Sequence, residues 1–139
     1  MVWPESGTIY DLAHYRIETA KSDVRSANIL LKEEEYRGAN NRAYYAIYHA
    51  ISAVHALDGK SYKRHKDTLA NFNRDYVKTE IFPKTFGRRI AQAEEIRHAS
   101  DYDDFYIATK EKAVEQIMTA QELIQLIESY CLNRIKERE

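Results

Sequence analysis

The sequence predicts an all-α protein, an antiparallel up-and-down bundle of about five helices. Apolar residues recur at intervals of three and four over long segments, the spacing of one helix face. Only four Gly and two Pro occur among the 139 residues, which argues against a turn-rich β fold. A hydrophobic fraction of 44% and a charged fraction of 31% are typical of a globular chain. We expect one domain over residues 1–139, with loose ends at 1–8 and 137–139.

The first helix is predicted over residues 9–34. Thr8 stands where an N-cap is needed, and Asp11 follows three residues later, as in a capping box. The apolar face of this helix is predicted to consist of Ala20, Val24, Ala27 and Leu31.

The second helix is predicted over residues 39–57, and Asp58-Gly59 suits its C-terminal cap. Between residues 43 and 57 the sequence has no Asp, Glu, Lys or Arg. A helix on the surface carries charge on one side. We therefore expect this helix to be covered on both sides, by its own bundle and by something else, such as a second copy. Its small residues Ala46, Ala53 and Ala56 would allow that close approach.

Three further helices complete the predicted bundle, over residues 65–77, 84–99 and 110–136. The last has Thr109 as its predicted N-cap. Its apolar residues repeat at intervals of four and three, which predicts a coiled-coil-like seam formed by Ala113, Ile117, Ala120, Ile124, Ile127 and Cys131.

Composition excludes several classes of protein. Cys131 is the one cysteine, so neither a disulfide framework nor a cysteine-rich zinc site is expected. The sequence shows no signal peptide, no apolar run of membrane-span length and no cofactor motif, so we expect a cytoplasmic protein without cofactor or metal. The net charge is −1, but residues 60–97 contain ten Lys or Arg and five Asp or Glu. That basic segment could attract phosphate or pair with neighbouring helices.

A polar stripe on the second helix is the first candidate site. Arg42, Tyr45, His49 and Ser52 follow at intervals of three and four, so they share one side of the helix. A histidine can move the proton of a ribose 2′-hydroxyl, and an arginine can stabilise the phosphate charge, so Arg42 and His49 would suit RNA cleavage without a metal. The alternative is a polar homodimer interface.

A second candidate site lies at the end of the fourth helix. There Arg97 could form an i,i+4 pair with Asp101, or it could point into a cleft beside Tyr102. The nearby acids do not follow the spacing of a calcium-binding loop.

The basic segment around Lys63 and Arg64 could contact a phosphate backbone, or it could be a solvated loop. The remaining histidines have no ligand-like spacing, and we expect surface or interface positions for them: His14, His55, His65 and His98.

Two segments carry a family resemblance. Residues 36–50, YRGANNRAYYAIYHA, and residues 95–105, EIRHASDYDDF, resemble the signatures of HEPN-domain proteins, notably the small stand-alone prokaryotic ones. The resemblance covers about residues 11–130. It implies a helical bundle that dimerises, often with a cleft at the dimer seam. Many members stand beside a minimal nucleotidyltransferase in toxin–antitoxin pairs, and others cut RNA without a metal.

The resemblance also implies where activity would reside. Active members have an arginine, four to six further residues and then a histidine on a late helix. Arg97 matches that arginine, but Tyr102 stands where the histidine is expected. Tyrosine ionises far above neutral pH and is a poor general base. Arg42 and His49 do have the required spacing, although on the second helix.

Three functional hypotheses follow from these observations. A dimeric module could bind RNA, a nucleotide or a partner nucleotidyltransferase without cutting, and Tyr102 favours this interpretation. An endoribonuclease could use Arg42 and His49 together with Arg97. A dimeric scaffold would need no ligand at all.

Overall fold

The computed structural model describes residues 8–138 and contains five α-helices and one π-helical turn. No strand occurs within that range, so the predicted all-α class is confirmed. The elements in chain order are α1 (Ile9–Lys32), α2 (Tyr36–Leu57), α3 (His65–Phe72), the π-turn (Asn73–Val77), α4 (Thr85–Tyr102) and α5 (Lys110–Arg138). Of the predicted loose ends, residues 1–7 and 139 lie outside the described residues.

The predicted helix caps are present. The hydroxyl of Thr8 accepts a hydrogen bond from the backbone N–H of Tyr10 at 3.3 Å, and the hydroxyl of Thr109 accepts one from Lys112 at 3.2 Å. Each bond satisfies one amide that a helix start leaves without a partner. After α2, Gly59 adopts a φ of +72°, a left-handed conformation that is easiest for glycine.

The α2 helix lies at the centre of the bundle, against α1, α3, α4 and α5. Every residue from 50 to 57 is buried. The chain's own helices therefore cover this part of α2, whereas Arg42, Tyr45 and His49 stay partly exposed. Cover of that exposed part by another molecule stays a prediction. Ala46 and Ala53 are completely buried and Ala56 is 3% exposed, so these small residues allow close packing within the chain and do not form an outer seam.

The predicted seam of α5 packs into the same core. All six of its apolar positions, from Ala113 to Cys131, are buried. Burial raises the pKa of the Cys131 thiol to about 12, so the cysteine is un-ionised and serves as a packing residue.

The segment predicted as one helix over residues 65–77 changes geometry at residue 73. There Lys78 donates its backbone N–H to the carbonyl of Asn73, five residues back, at 2.8 Å. This i→i+5 bond defines a π-turn, which widens the helix locally. The turn directs Tyr76 and Val77 into the core, where Tyr76 stacks on Phe72.

The segment between α4 and α5 is held by one arginine of α2. The Arg37 guanidinium donates to the backbone carbonyls of Ser100, Asp103 and Tyr106. It thereby fixes the connection between the two helices against the start of α2. Within residues 8–138, none of the helices combines the length and the apolar character that crossing a membrane requires.

Candidate active site

One carboxylate connects the polar stripe of α2 to α1. The Oδ2 atom of Asp23 lies 2.7 Å from Nδ1 of His49, and its Oδ1 atom accepts a hydrogen bond from Nη1 of Arg42 at 3.2 Å. The Asp23 side chain is only 10% exposed, whereas His49 and Arg42 are 30% and 36% exposed. A nearly buried acid therefore orients two side chains that solvent reaches.

Asp23 was missed by the sequence reasoning, although a signal for it exists. It follows Ala20 by three residues and precedes Ala27 by four, so it belongs to the buried face of α1. A carboxylate among apolar residues on one helix face requires a partner, because an unpaired buried charge is costly. The position of Asp23 in the apolar pattern therefore predicts a polar cluster, but not which residues complete it.

The contact with Asp23 determines which nitrogen of His49 faces outward. Because Nδ1 is engaged by the carboxylate, Nε2 is the nitrogen available to another molecule. Within residues 8–138 no hydrogen bond to His49 Nε2 is observed. A carboxylate, an imidazole and an open second nitrogen form the arrangement of an oriented general base or acid.

Two guanidinium groups flank the ring of Tyr45. The Arg42 guanidinium carbon lies 5.0 Å from the ring centre, and that of Arg97 lies 5.9 Å from it. Both distances permit cation–π attraction. Tyr45 therefore joins Arg97 on α4 to the stripe on α2, two predicted sites that are distant in sequence.

Arg97 is the more enclosed of the two arginines. Its side chain is 14% exposed, and its guanidinium lies 4.7 Å from the ring centre of Tyr44. The closest approach to Asp101 is 3.6 Å, so the predicted i,i+4 pair forms, although Asp101 also accepts from Asn41 at 2.9 Å. The buried Nε of Arg97 has no hydrogen-bond partner among the described residues. Arg97 thus has donor capacity to spare.

The ring of Tyr44 packs against the guanidinium of Arg97. Tyr44 is completely buried, and burial followed by the charge of Glu94 raises its pKa to about 12. The phenol is therefore neutral at physiological pH. Its oxygen lies 3.4 Å from Nδ1 of His65, at the start of α3.

His65 is the second residue that the sequence reasoning missed, because it was expected at a surface or interface. Its ring lies 4.1 Å from the ring of Tyr48 and 5.7 Å from that of Tyr45, measured between centres. Burial lowers the pKa of His65, and the charges of Arg97 and His49 lower it further. A second imidazole, which favours the neutral form, therefore lies beside the polar stripe of α2.

The remaining predicted site residues lie apart from this cluster. Tyr102 is 68% exposed, with its ring 5.0 Å from that of His98. Lys63 is exposed, and Arg64 pairs with Asp67 at 3.0 Å. The structure therefore brings together Arg42, Tyr45, His49, Arg97 and Asp101, but it does not bring Tyr102, Lys63 or Arg64 into the same contacts.

The assembled cluster combines an oriented imidazole with two arginines. We call Asp23, Arg42, Tyr45, His49 and Arg97 the α1–α2–α4 cluster. It offers a proton acceptor beside cationic hydrogen-bond donors, which suits a reaction at a phosphate. Across residues 8–138, no three His, Cys, Asp or Glu side chains are placed to hold a metal ion together.

Comparison with known proteins identifies the family. The HEPN domain model matches residues 13–130. A UPF0332 protein of Thermotoga maritima is 32% identical over 117 residues, 84% of this chain and 89% of the relative. A Methanocaldococcus jannaschii protein named "Putative toxin MJ0605" is 30% identical over 121 residues, 87% of this chain and 84% of the relative.

A solved structure shows the same fold. The crystal structure of TT1696 from Thermus thermophilus superposes with a TM-score of 0.72, covering 84% of this chain and 96% of that one, at 21% identity. The family match spans most of the chain, including the helices that carry the α1–α2–α4 cluster. The chain therefore belongs to the HEPN domain family.

Proposed function

We propose that this HEPN protein is a metal-independent endoribonuclease and serves as the toxin component of a toxin–antitoxin-type module. The observation that carries the proposal is the Asp23 carboxylate, which holds His49 through Nδ1, leaves Nε2 open and also binds Arg42. The ring of Tyr45 connects Arg42 to Arg97. A binding site needs cations but no buried acid behind a histidine. The toxin-named relative supports the biological setting.

The reaction begins with the ribose 2′-hydroxyl. His49 Nε2 takes the hydroxyl proton, and the oxygen attacks the adjacent phosphorus. The bond from phosphorus to the 5′-oxygen then breaks, and a proton from the imidazolium or from water neutralises the leaving oxygen. The products are a 2′,3′-cyclic phosphate end and a 5′-hydroxyl end.

Each member of the cluster has a role in that reaction. Asp23 stabilises the positive charge that develops on His49, and the arginines stabilise the charge on the phosphate. Arg97 is suited to the phosphate because its guanidinium is permanently charged and lies near the ring of Tyr45. Tyr102, which stands where active relatives are expected to have histidine, is exposed and is not required for this route.

The test is RNA cleavage in EDTA by the purified protein. Loss of the general base is expected to slow cleavage by about 10²-fold or more in His49→Ala. The matched control is His98→Ala, because His98 is an exposed histidine on α4 and should leave the rate unchanged. If intact RNA persists with the wild-type protein, or if both variants cleave equally well, the proposal is wrong.

The second candidate is RNA binding without cleavage. The exposed Lys63 and Arg64 precede α3, whose first residue His65 adjoins the cluster. If the RNA phosphate backbone contacts these two side chains, the affinity for RNA should fall as the salt concentration rises. The double change Lys63→Glu and Arg64→Glu is expected to weaken RNA binding at least tenfold and to reduce its salt dependence. Binding with no cleavage in the assay above would favour this candidate.

We further propose that the protein acts in the cytoplasm as a homodimer and pairs with a minimal nucleotidyltransferase. Because residues 50–57 of α2 are buried within the chain, the dimer contact requires another surface. The segment between α4 and α5 exposes Phe105 at 94% and Ile107 at 82%. Exposed apolar side chains of this size favour a protein contact. We assign the self-contact to this segment.

A further inference from the structure

A small polar cavity lies outside the α1–α2–α4 cluster. Its volume is about 40 Å³, and its walls come from α1, α2, α3 and the segment between α2 and α3. The side chains that matter are Arg16, Ser52, His55, Lys60, Ser61 and Tyr62. No Asp or Glu lines it, and every one of these six side chains has a polar atom.

His55 is the side chain that most strongly indicates a bound molecule in this cavity. The side chain is 2% exposed, and neither Nδ1 nor Nε2 has a hydrogen-bond partner among the described residues. Buried polar atoms in folded proteins are nearly always satisfied by protein or by a bound molecule. Because His55 lines the cavity, a molecule bound there can interact with one of these nitrogens.

The charges around His55 favour an anion. Burial, followed by the charge of Lys60, lowers the pKa of His55 to about 4, and Arg16 also lowers it. Asp75 and Asp58 oppose that change, but neither lines the cavity. Two cations therefore border the cavity, and the imidazole between them is neutral at physiological pH.

The two cations retain capacity for a ligand. Arg16 uses Nη1 to donate to the Ser52 carbonyl at 2.9 Å, which leaves its other donors. Lys60 lies 3.5 Å from Asp75, a separation longer than a strong hydrogen bond. Each side chain is thus held at the cavity by one contact without being saturated by it.

The size of the cavity suits a tetrahedral oxyanion. One water needs about 10–15 Å³ by the same measure, so 40 Å³ exceeds the space for a single water. We propose that this cavity binds a phosphate group, as in inorganic phosphate or a terminal phosphate monoester.

The N–H of His55 adds a neutral donor to the two cations. A neutral imidazole has one N–H donor and one acceptor nitrogen. The two nitrogens point in divergent directions, so a single phosphate group contacts only one of them and accepts its N–H. The remaining phosphate oxygens accept from Arg16, Lys60 and the nearby hydroxyls.

The proposal does not depend on RNA cleavage. The cavity shares α2 with the cluster, since Ser52 follows His49 by three residues, but it requires no group of the reaction. A terminal phosphate of RNA and free phosphate have the same binding chemistry. The experiment therefore compares these two sources.

The test is a titration of the full chain at pH 7.5, with inorganic phosphate, chloride and a nucleoside 3′-monophosphate as separate ligands at constant ionic strength. Calorimetry gives the affinities, and NMR of 15N-labelled histidine reports on His55. We expect saturable phosphate binding, a shift of the His55 signals and at least fivefold weaker chloride binding. Tighter nucleotide than phosphate binding would identify the RNA end as the source, and the reverse would identify free phosphate.

Three variants make the result specific. Lys60→Gln removes a half-exposed cation at the cavity and should weaken phosphate binding at least fivefold. Lys63→Gln changes an exposed lysine nearby and should not. His49→Ala should also leave phosphate affinity unchanged, which separates this site from the proposed reaction. Phosphate effects no larger than those of chloride, or equal binding by Lys60→Gln and wild type, would overturn the proposal.

Discussion

Two buried polar side chains, Asp23 and His55, define the polar centres of this bundle. Asp23 is satisfied within the chain by His49 and Arg42, whereas His55 has no hydrogen-bond partner within the described residues. Both lie on faces that otherwise pack apolar residues. Because burying a polar group has a cost in stability, such positions are the places where function is to be sought first.

His55 predicts a dependence of stability on pH. Its pKa is lowered from 6.5 to about 4 in the folded chain, so the unfolded chain takes up the proton first as the pH falls. Stability is therefore lost progressively from the unfolded pKa towards the folded one. The linkage relation gives a loss of about 2 kcal/mol from this group between pH 7 and pH 5.

Urea unfolding at these two pH values, in chloride buffer without phosphate, measures that loss. In His55→Phe the aromatic contacts with Tyr62 and Phe72 are largely kept, and the loss between the two pH values should shrink by about 2 kcal/mol. His98→Ala is the control, because that histidine is exposed. Equal losses in wild type and His55→Phe would contradict the assignment.

Sequence reasoning at the residue scale succeeded for part of the cluster. The helical period placed Arg42, Tyr45 and His49 on one side of α2, because local geometry alone determines that. Asp23 required a tertiary contact between α1 and α2. His65 belongs to a basic segment without periodicity, so nothing in its neighbourhood indicated that it would fold against Tyr48.

At the scale of elements, α2 organises the molecule, because the other four α-helices contact it. The lack of charge over residues 43–57 correctly indicated a largely covered helix, and residues 50–57 are buried on all sides. It could not indicate that the chain itself covers those residues, since burial by a neighbour in the same chain and burial by another molecule leave the same sequence pattern.

The central position of α2 yields a mutational prediction. Ala53 is completely buried, so Ala53→Asp places an unpaired carboxylate in the core. We expect at least about 3 kcal/mol of destabilisation, or an unfolded protein, rather than a folded monomer. Ala91→Asp, at an exposed position of α4, should change the free energy of unfolding by about 0.5 kcal/mol or less.

Circular dichroism during urea unfolding measures both variants. A folded Ala53→Asp protein of wild-type stability that differs only in its sedimentation would restore the α2 seam as an intermolecular interface.

The lengths of the helices were predictable, whereas one local distortion was not. Caps at Thr8 and Thr109 and the turn at Gly59 have side-chain or backbone signatures that the sequence displays. The π-turn at Asn73–Val77 has none, since it arises from packing of Tyr76 and Val77 into the core. Tertiary contacts of this kind override the local preference for a continuous α-helix.

At the scale of the whole molecule, the bundle brings together polar residues that are far apart in the sequence. Asp23 on α1, His49 on α2 and Arg97 on α4 meet because α2 contacts both other helices. Asp101 in the last turn of α4 pairs with Arg97, and the segment that follows α4 exposes Phe105 to solvent. A second copy bound there would lie close to the cluster.

The proposed self-contact is tested by Phe105→Asp. Phe105 is 94% exposed, so the change should not affect folding, but it places a charge in the expected interface. Sedimentation velocity should show a dimer for the wild type and a monomer for the variant. Met118→Asp, at a half-exposed position of α5, is the control and should remain dimeric. A dimer that persists in Phe105→Asp would exclude this surface.

The most direct test of the account is the single-turnover rate of RNA cleavage in EDTA by Asp23→Asn. This change keeps the size of the side chain but removes the negative charge that orients His49 and stabilises its imidazolium. We predict a rate at least about 10²-fold below that of the wild type, with RNA affinity within about threefold. A rate equal to that of the wild type, in a protein that folds and binds RNA normally, would contradict the proposed role of the Asp23–His49 pair.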